Sequence, residues 1–94
     1  MTDNSLFSDI VGETPPEVAR FVDKSMDIAD QIVAILKAKS WTVKQLADAL
    51  GKREVVVSKW LTGTHNFTLR SIARIETALG ADIIVTPLSH QEQK

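Results

Sequence analysis

The chain has 94 residues, of which 44% are hydrophobic and 24% charged, a composition typical of one small globular domain. It has no cysteine, which excludes a disulfide framework and a thiolate metal site. No stretch approaches the roughly 20 apolar residues of a membrane span. The first twenty residues contain four acidic side chains and no apolar run after a basic start. We therefore expect no signal peptide, no membrane association and a cytoplasmic location.

The charges are unevenly distributed, although the net charge is only −1. Residues 1–30 contain seven acidic and two basic residues, a net charge of −5, whereas residues 31–80 contain eight basic and three acidic residues, a net charge of +5. This asymmetry favours a basic working surface with an acidic appendage. Chance clustering on a solvated surface explains the counts about equally well.

The first predicted helix begins at the sequence "TPPE". Thr14 is placed at the N-cap, Pro15 at the first helical position and Glu17 at the third, which together form a capping box. Apolar residues then recur every three or four positions up to about Lys39, which predicts a helix of nearly 24 residues with one buried face. We expect its second half to belong to the core, and Pro16–Asp27 to project toward a partner.

The next two helices are predicted in "SWTVKQLADALG" and "GKREVVVSKW". Thr42 caps the first of them, Gln45 completes a capping box, and Gly51 ends it in the left-handed conformation. The three valines that follow favour a strand by local propensity. Helical spacing favours a helix with a buried stripe made of Val57, Trp60 and Leu61. The outer face then holds Glu54, Val55, Ser58, Lys59 and Thr62.

A tight loop leads to a fourth predicted helix, capped by Thr68 and ended by Gly80. The β-branched run before Pro87 then predicts a short C-terminal strand. A lone strand has no partner within a helical chain, so we expect it to pair with a second copy and form a homodimer. The predicted dimerisation residues are Asp82, Ile83, Ile84, Val85 and Thr86. The chain thus divides into an N-terminal extension (1–13), a helix-turn-helix domain with a long first helix (14–80), and a dimerisation strand with a disordered tail (81–94).

Two short helices joined through a glycine-bearing turn form a helix-turn-helix unit. The sequence "TVKQLADALGKREVVVSKWLTG" resembles this unit in the Cro/C1-type (xenobiotic-response-element) repressor family. The matching positions are Thr42, Leu46–Ala47, Leu50–Gly51, Val57–Trp60 and Gly63. The segment "IARIETALG" resembles the family's following helix, and the likeness covers residues 28–80. Within the family, the small size, the leading extension and the final strand look most like HigA-type antitoxins.

The resemblance implies which residues contact DNA, because the second of the two short helices enters the major groove in this family. Carried over by position, the base-contacting residues are Glu54, Val55, Ser58 and Lys59. A valine suits a thymine methyl, a glutamate suits cytosine N4, and a lysine suits guanine O6 and N7. The predicted backbone-contacting residues are Thr42, Lys44, Arg53, Thr64, His65, Asn66 and Thr68. The chain departs from the family at Arg53, where a serine or threonine cap is usual, and at Val43, where a phosphate-binding glutamine is common.

The resemblance implies an all-α fold of four to five helices, lambda-repressor-like, and a homodimeric repressor that binds a double-stranded DNA operator. It also implies the antitoxin of a type II toxin–antitoxin pair, opposed to a ribonuclease-like toxin of the RelE/HigB kind. Two alternatives stay open: a stand-alone phage- or plasmid-type repressor, and a protein-interaction module of the same fold without DNA binding. Ser58 has no neighbouring base and His65 and His90 lie apart, so we expect no enzymatic activity, no cofactor and no metal.

Overall fold

The computed structural model describes residues 14–88. The predicted extension at 1–13 and residues 89–94 of the predicted tail lie outside this range. The described chain forms four helices, which we number in chain order, and the all-α prediction is confirmed. They are α1 (Pro16–Lys39), α2 (Val43–Leu50), α3 (Glu54–Thr62) and α4 (Leu69–Leu79).

The start of α1 differs from the sequence prediction. The N-cap is Pro15, with φ −58° and ψ 141°, and it makes no side-chain cap hydrogen bond. The predicted cap at Thr14 is therefore wrong. The pyrrolidine ring of Pro16 disfavours a helical conformation in the residue before it, so Pro15 stays extended and the helix begins one residue later. The Pro15 carbonyl accepts hydrogen bonds from the Val18 and Ala19 amides at 2.9 and 3.3 Å.

Helix α3 packs against α1 and α2, while α4 packs against α2. The second half of α1 contributes Ile32 and Leu36, as predicted, whereas Pro16–Asp27 is mostly exposed apart from Ser25. All four helices thus share one small apolar core. Its buried hydrophobic side chains are Ala29, Ile32, Leu36, Leu46, Ala47, Leu50, Val57, Ile72, Ile75, Leu79 and Ile83.

The predicted short C-terminal strand is wrong for the described chain, because residues 14–88 contain no strand. The side chain of Ile83 is buried in the core. A carboxylate oxygen of Glu76, Oε2, accepts hydrogen bonds from the backbone amides of Ile83 and Ile84 at 2.8 and 3.1 Å. Glu76 therefore satisfies two amide groups that a neighbouring strand would otherwise pair, and the segment docks on its own chain.

The end of α1 stores backbone strain at Ser40, which adopts the left-handed conformation with φ 59° and ψ 37°. This conformation costs a residue with a Cβ about 1–2 kcal/mol. Replacement by glycine removes that cost, but glycine loses more conformational entropy on folding, which costs about 0.5–1 kcal/mol. We expect Ser40→Gly to raise the free energy of unfolding by about 0.5–1 kcal/mol in urea titrations. Ser40→Ala keeps the Cβ and should give no gain. An equal gain in both variants would show that the serine hydroxyl, and not the backbone, is unfavourable.

Candidate nucleic-acid interface

Helix α2 has the ends that its sequence predicts. The Thr42 hydroxyl accepts the Gln45 amide at 3.1 Å, and the Gln45 side chain accepts the Thr42 amide at 2.7 Å, so the predicted capping box is confirmed. Gly51 ends the helix at φ 70°, and the Lys52 amide donates to the Ala47 carbonyl at 2.9 Å. A Cβ at Gly51 would meet no atom within 4 Å, so the positive φ, and not lack of room, favours glycine there.

The valine run forms the helix α3, as the helical spacing predicts. Val57 is fully buried at 0% exposure, whereas Val55 is 55% exposed. Trp60 and Leu61, predicted to be buried, are half-buried and pack against the core. The burial of Val57 among residues of other helices outweighs the strand propensity of the three valines.

The predicted base-contacting residues lie together on the outer side of α3. Glu54, Val55 and Lys59 are exposed, and Ser58 is half-buried. Within residues 14–88, the side chains of Glu54, Ser58 and Lys59 make no hydrogen bond or ion pair. This face therefore presents a carboxylate, a hydroxyl, an ammonium group and an apolar side chain, all without a partner in the described chain.

The two departures from the family pattern have visible consequences at this site. Arg53 is the N-cap of α3, is exposed, and makes no side-chain cap hydrogen bond. Val43 is half-buried and packs against the core. The start of α3 thus carries a cation in place of a capping hydroxyl, and the first position of α2 contributes to packing.

Lys44 lies on the exposed side of α2 and forms a surface ion pair. Its Nζ is 3.3 Å from Oδ2 of Asp48, and the two side chains are 67% and 66% exposed. Exposed pairs of this kind contribute little to stability. The ammonium group can therefore leave Asp48 for another anion at small cost.

An aromatic cluster fixes the loop between α3 and α4 on α3. The His65 ring stacks on Trp60 with a centroid distance of 5.3 Å and an interplanar angle of 20°. It also meets Phe67 edge to face, with a centroid distance of 4.6 Å. His65 was predicted only as a phosphate contact, and its stacking with Trp60 was not foreseen. Thr64 and Asn66, on either side of it, are exposed.

Two further side chains organise the site from α4. Thr68 caps this helix by accepting the Ser71 amide at 3.0 Å, which confirms the predicted N-cap. Arg74 Nη2 donates to the Leu50 carbonyl at 2.8 Å, at the last turn of α2. Sequence reasoning counted Arg74 only as a positive charge. A carbonyl at a helix end needs a donor, but a donor 24 residues away in sequence cannot be identified without the fold.

A short helix, a turn through a left-handed glycine and a second short helix with an uncommitted outer face define a helix-turn-helix DNA-binding domain. A helix-turn-helix family model matches residues 32–84, more than half of the chain. The chain belongs to this family, the Cro/C1-type helix-turn-helix proteins, and is a DNA-binding transcription regulator. No match was found among curated proteins or among solved structures.

Residues 14–88 contain no group of three or more histidine, aspartate or glutamate side chains that could hold a metal ion. None of their helices combines the length and apolar composition that a membrane span requires.

Proposed function

We propose that this protein is a sequence-specific repressor that reads a duplex operator with the outer face of α3. One observation carries the proposal: Val55 is 55% exposed on a helix whose opposite face, at Val57, is fully buried. An exposed valine adds nothing to the core, but it gains a contact when it meets a thymine methyl group. Beside Val55, the unpaired carboxylate of Glu54 can accept from cytosine N4, and the ammonium group of Lys59 can donate to guanine O6 or N7.

Backbone contacts are proposed around the same face. Lys44, Arg53, Thr64 and Asn66 are exposed and offer donors to phosphate oxygens. The hydroxyls of Thr42 and Thr68 already cap α2 and α4. We therefore assign the phosphate contacts at these two positions to the backbone amides of the helix starts. The last proposed backbone contact is His65. We assign this contact to a nitrogen of its ring, which stacks on Trp60.

The proposal is tested by selecting from a randomised duplex library and titrating the enriched sequence at several salt concentrations. We expect one enriched motif and binding that weakens as salt rises, because phosphate contacts release counterions. Enrichment of no motif, together with binding that is absent at low salt, would favour the alternative interaction module and would reject the repressor.

Lys44→Ala should weaken binding to all duplexes alike and flatten the slope of log affinity against log salt by about one unit, because one phosphate contact is lost. Asp48→Ala is the matched control, since it breaks the same ion pair but keeps the ammonium group. That variant should retain the full slope. If both variants weaken binding equally, the ion pair itself matters and Lys44 does not contact phosphate.

We further propose that the repressor is a homodimer. A chain of 94 residues has a thin core, and Val85 and Leu88 remain 51% and 66% exposed beyond α4. We place the interface on the exposed side chains of Val85 and Leu88, with Glu76 retaining the Ile83 and Ile84 amides. In such a dimer we expect the two α3 helices to contact half-sites about 34 Å apart, one turn of DNA.

Val85→Asp should raise the dimer dissociation constant at least tenfold, because it places a charge at the centre of the proposed interface. Sedimentation velocity across a micromolar range measures the change. Met26→Asp is the matched control, since Met26 is 52% exposed on α1, and it should leave the dimer intact. A wild-type chain that sediments as a monomer throughout this range would exclude the interface.

The finer role that we propose is the antitoxin of a type II toxin–antitoxin pair. Its support is the net charge of −5 over residues 1–30, combined with exposed Val18 and Met26 on the first half of α1. An acidic surface with apolar side chains complements a basic ribonuclease-like protein. A neighbouring short gene whose basic product forms a stable complex with this chain would support the role. Its absence would leave a stand-alone repressor.

A further inference from the structure

An apolar groove of about 430 Å³ lies between the first half of α1 and the start of α4. Its walls come from the first half of α1, the loop before α4, the start of α4, and Ile84. Three apolar wall residues are exposed: Phe21 at 38%, Leu69 at 75% and Ile84 at 41%. These exposed apolar side chains meet in one concave region, which makes the groove a candidate docking site.

The rim of the groove is positively charged on α1. Arg20 and Lys24 lie one helical turn apart and both line the groove. Within residues 14–88, neither side chain makes an ion pair or a hydrogen bond. Glu17, also on the rim, forms no ion pair with either of them in that part of the chain. The groove therefore fits an occupant that is apolar on one side and acidic on the other.

The chain itself contains such an occupant directly before α1. Residues 2–13 have four large apolar side chains, three carboxylates and no basic side chain. The segment ends at Glu13, four positions before Glu17 on the groove rim. The apolar residues are Leu6, Phe7, Ile10 and Val11, and the acidic ones are Asp3, Asp9 and Glu13.

We propose that residues 1–13 turn back at Gly12 and fill this groove in the same chain. Their apolar side chains lie against Phe21 and Leu69, and their carboxylates face Arg20 and Lys24. This places the acidic extension on α1, beside the loop that carries His65 and Asn66.

The lengths of the segment and the groove agree. From Glu17 to Ile28 the groove follows α1 for about 17 Å at 1.5 Å per residue. Residues 6–11 in extended form cover about 17–20 Å at about 3.3 Å per residue. A short tether also gives an effective concentration in the millimolar range. The segment of the same chain therefore outcompetes a second copy at micromolar protein concentration.

Disulfide trapping tests the proposal in the full chain, which has no cysteine of its own. The test pair is Phe7→Cys with Leu69→Cys, because Leu69 is 75% exposed and its replacement leaves the core intact. The control pair is Phe7→Cys with Met26→Cys, because Met26 is 52% exposed on α1 but does not line the groove. Under mild oxidation, we expect the test pair to form a disulfide within the monomer at least ten times faster than the control pair.

Two results would overturn the proposal. Equal rates for the two pairs would show that residues 1–13 do not prefer the groove. A disulfide-linked dimer in place of a cross-linked monomer would show that a second copy fills it. An independent readout is the amide spectrum of the variant Phe7→Asp. It should shift the resonances of Phe21, Leu69 and Ile84 and leave those of α2 unchanged, and an unchanged spectrum at these groove residues contradicts docking.

Discussion

Val57→Ala is expected to lower the free energy of unfolding by about 1–3 kcal/mol, whereas Val55→Ala should leave it nearly unchanged. Val57 is fully buried at 0% exposure in the core cluster, so the substitution removes two methyl groups and leaves a cavity. Val55 is 55% exposed, and a valine on an exposed helix face is slightly less favourable than alanine. The two substitutions are chemically identical and two positions apart, so the contrast measures burial alone.

The same two variants should differ in the opposite sense in DNA binding. Val55→Ala is expected to cost about 1 kcal/mol of operator affinity and to relax discrimination at one A·T pair. Val57→Ala should retain its discrimination between operator variants, provided that binding is measured below its lowered melting temperature. Thermal melts and titrations against operator variants measure both effects. A lower melting temperature for Val55→Ala than for Val57→Ala would mean that α3 is rotated from the orientation described. Unchanged binding in both variants would favour the interaction-module alternative.

Features set by neighbouring residues were predictable from the sequence. The capping box of α2 depends on Thr42 and Gln45, three positions apart, and both hydrogen bonds form. The glycine ends of α2 and α4 depend on a single residue that tolerates a positive φ. The helical spacing of Val57, Trp60 and Leu61 correctly outweighed the strand propensity of the valine run. For the capping box and the glycine ends, the deciding interaction lies within about one helical turn, whereas the buried stripe of α3 follows from helical period.

Two local predictions failed, for different reasons. Thr14 was placed at the N-cap of α1 on the capping-box pattern, but Pro16 holds Pro15 in the extended conformation. A steric rule between adjacent residues outweighed a preferred hydrogen-bond pattern. The strand at 82–86 was predicted from β-branched residues, but the Glu76 carboxylate binds the Ile83 and Ile84 amides. That outcome depends on how the segment folds back on α4, which propensity does not describe.

Much of the candidate site could be listed from sequence, but its internal organisation could not. The outer-face residues of α3 follow from helical period, and their exposure agrees with it except at half-buried Ser58. The stacking of His65 on Trp60 and the hydrogen bond from Arg74 to the Leu50 carbonyl are tertiary contacts. They hold the loop and α4 against the helix-turn-helix unit, and no spacing rule in one sequence indicates them.

Lys59→Ala is expected to weaken operator binding by about 1–3 kcal/mol, which is roughly 5- to 150-fold, if its ammonium group donates to guanine O6 and N7. Lys59 is exposed on α3 and makes no ion pair within residues 14–88, so no internal contact is lost and stability should not change. Non-operator duplexes should lose far less affinity, in contrast to Lys44→Ala, which weakens all duplexes alike. Lys59→Arg should retain the preference for guanine. Titrations of Lys59→Ala, Lys59→Arg and Lys44→Ala against the operator, and against a duplex in which that guanine is replaced, measure these differences in affinity. If Lys59→Ala loses the same affinity for both duplexes, Lys59 contacts phosphate and not the base.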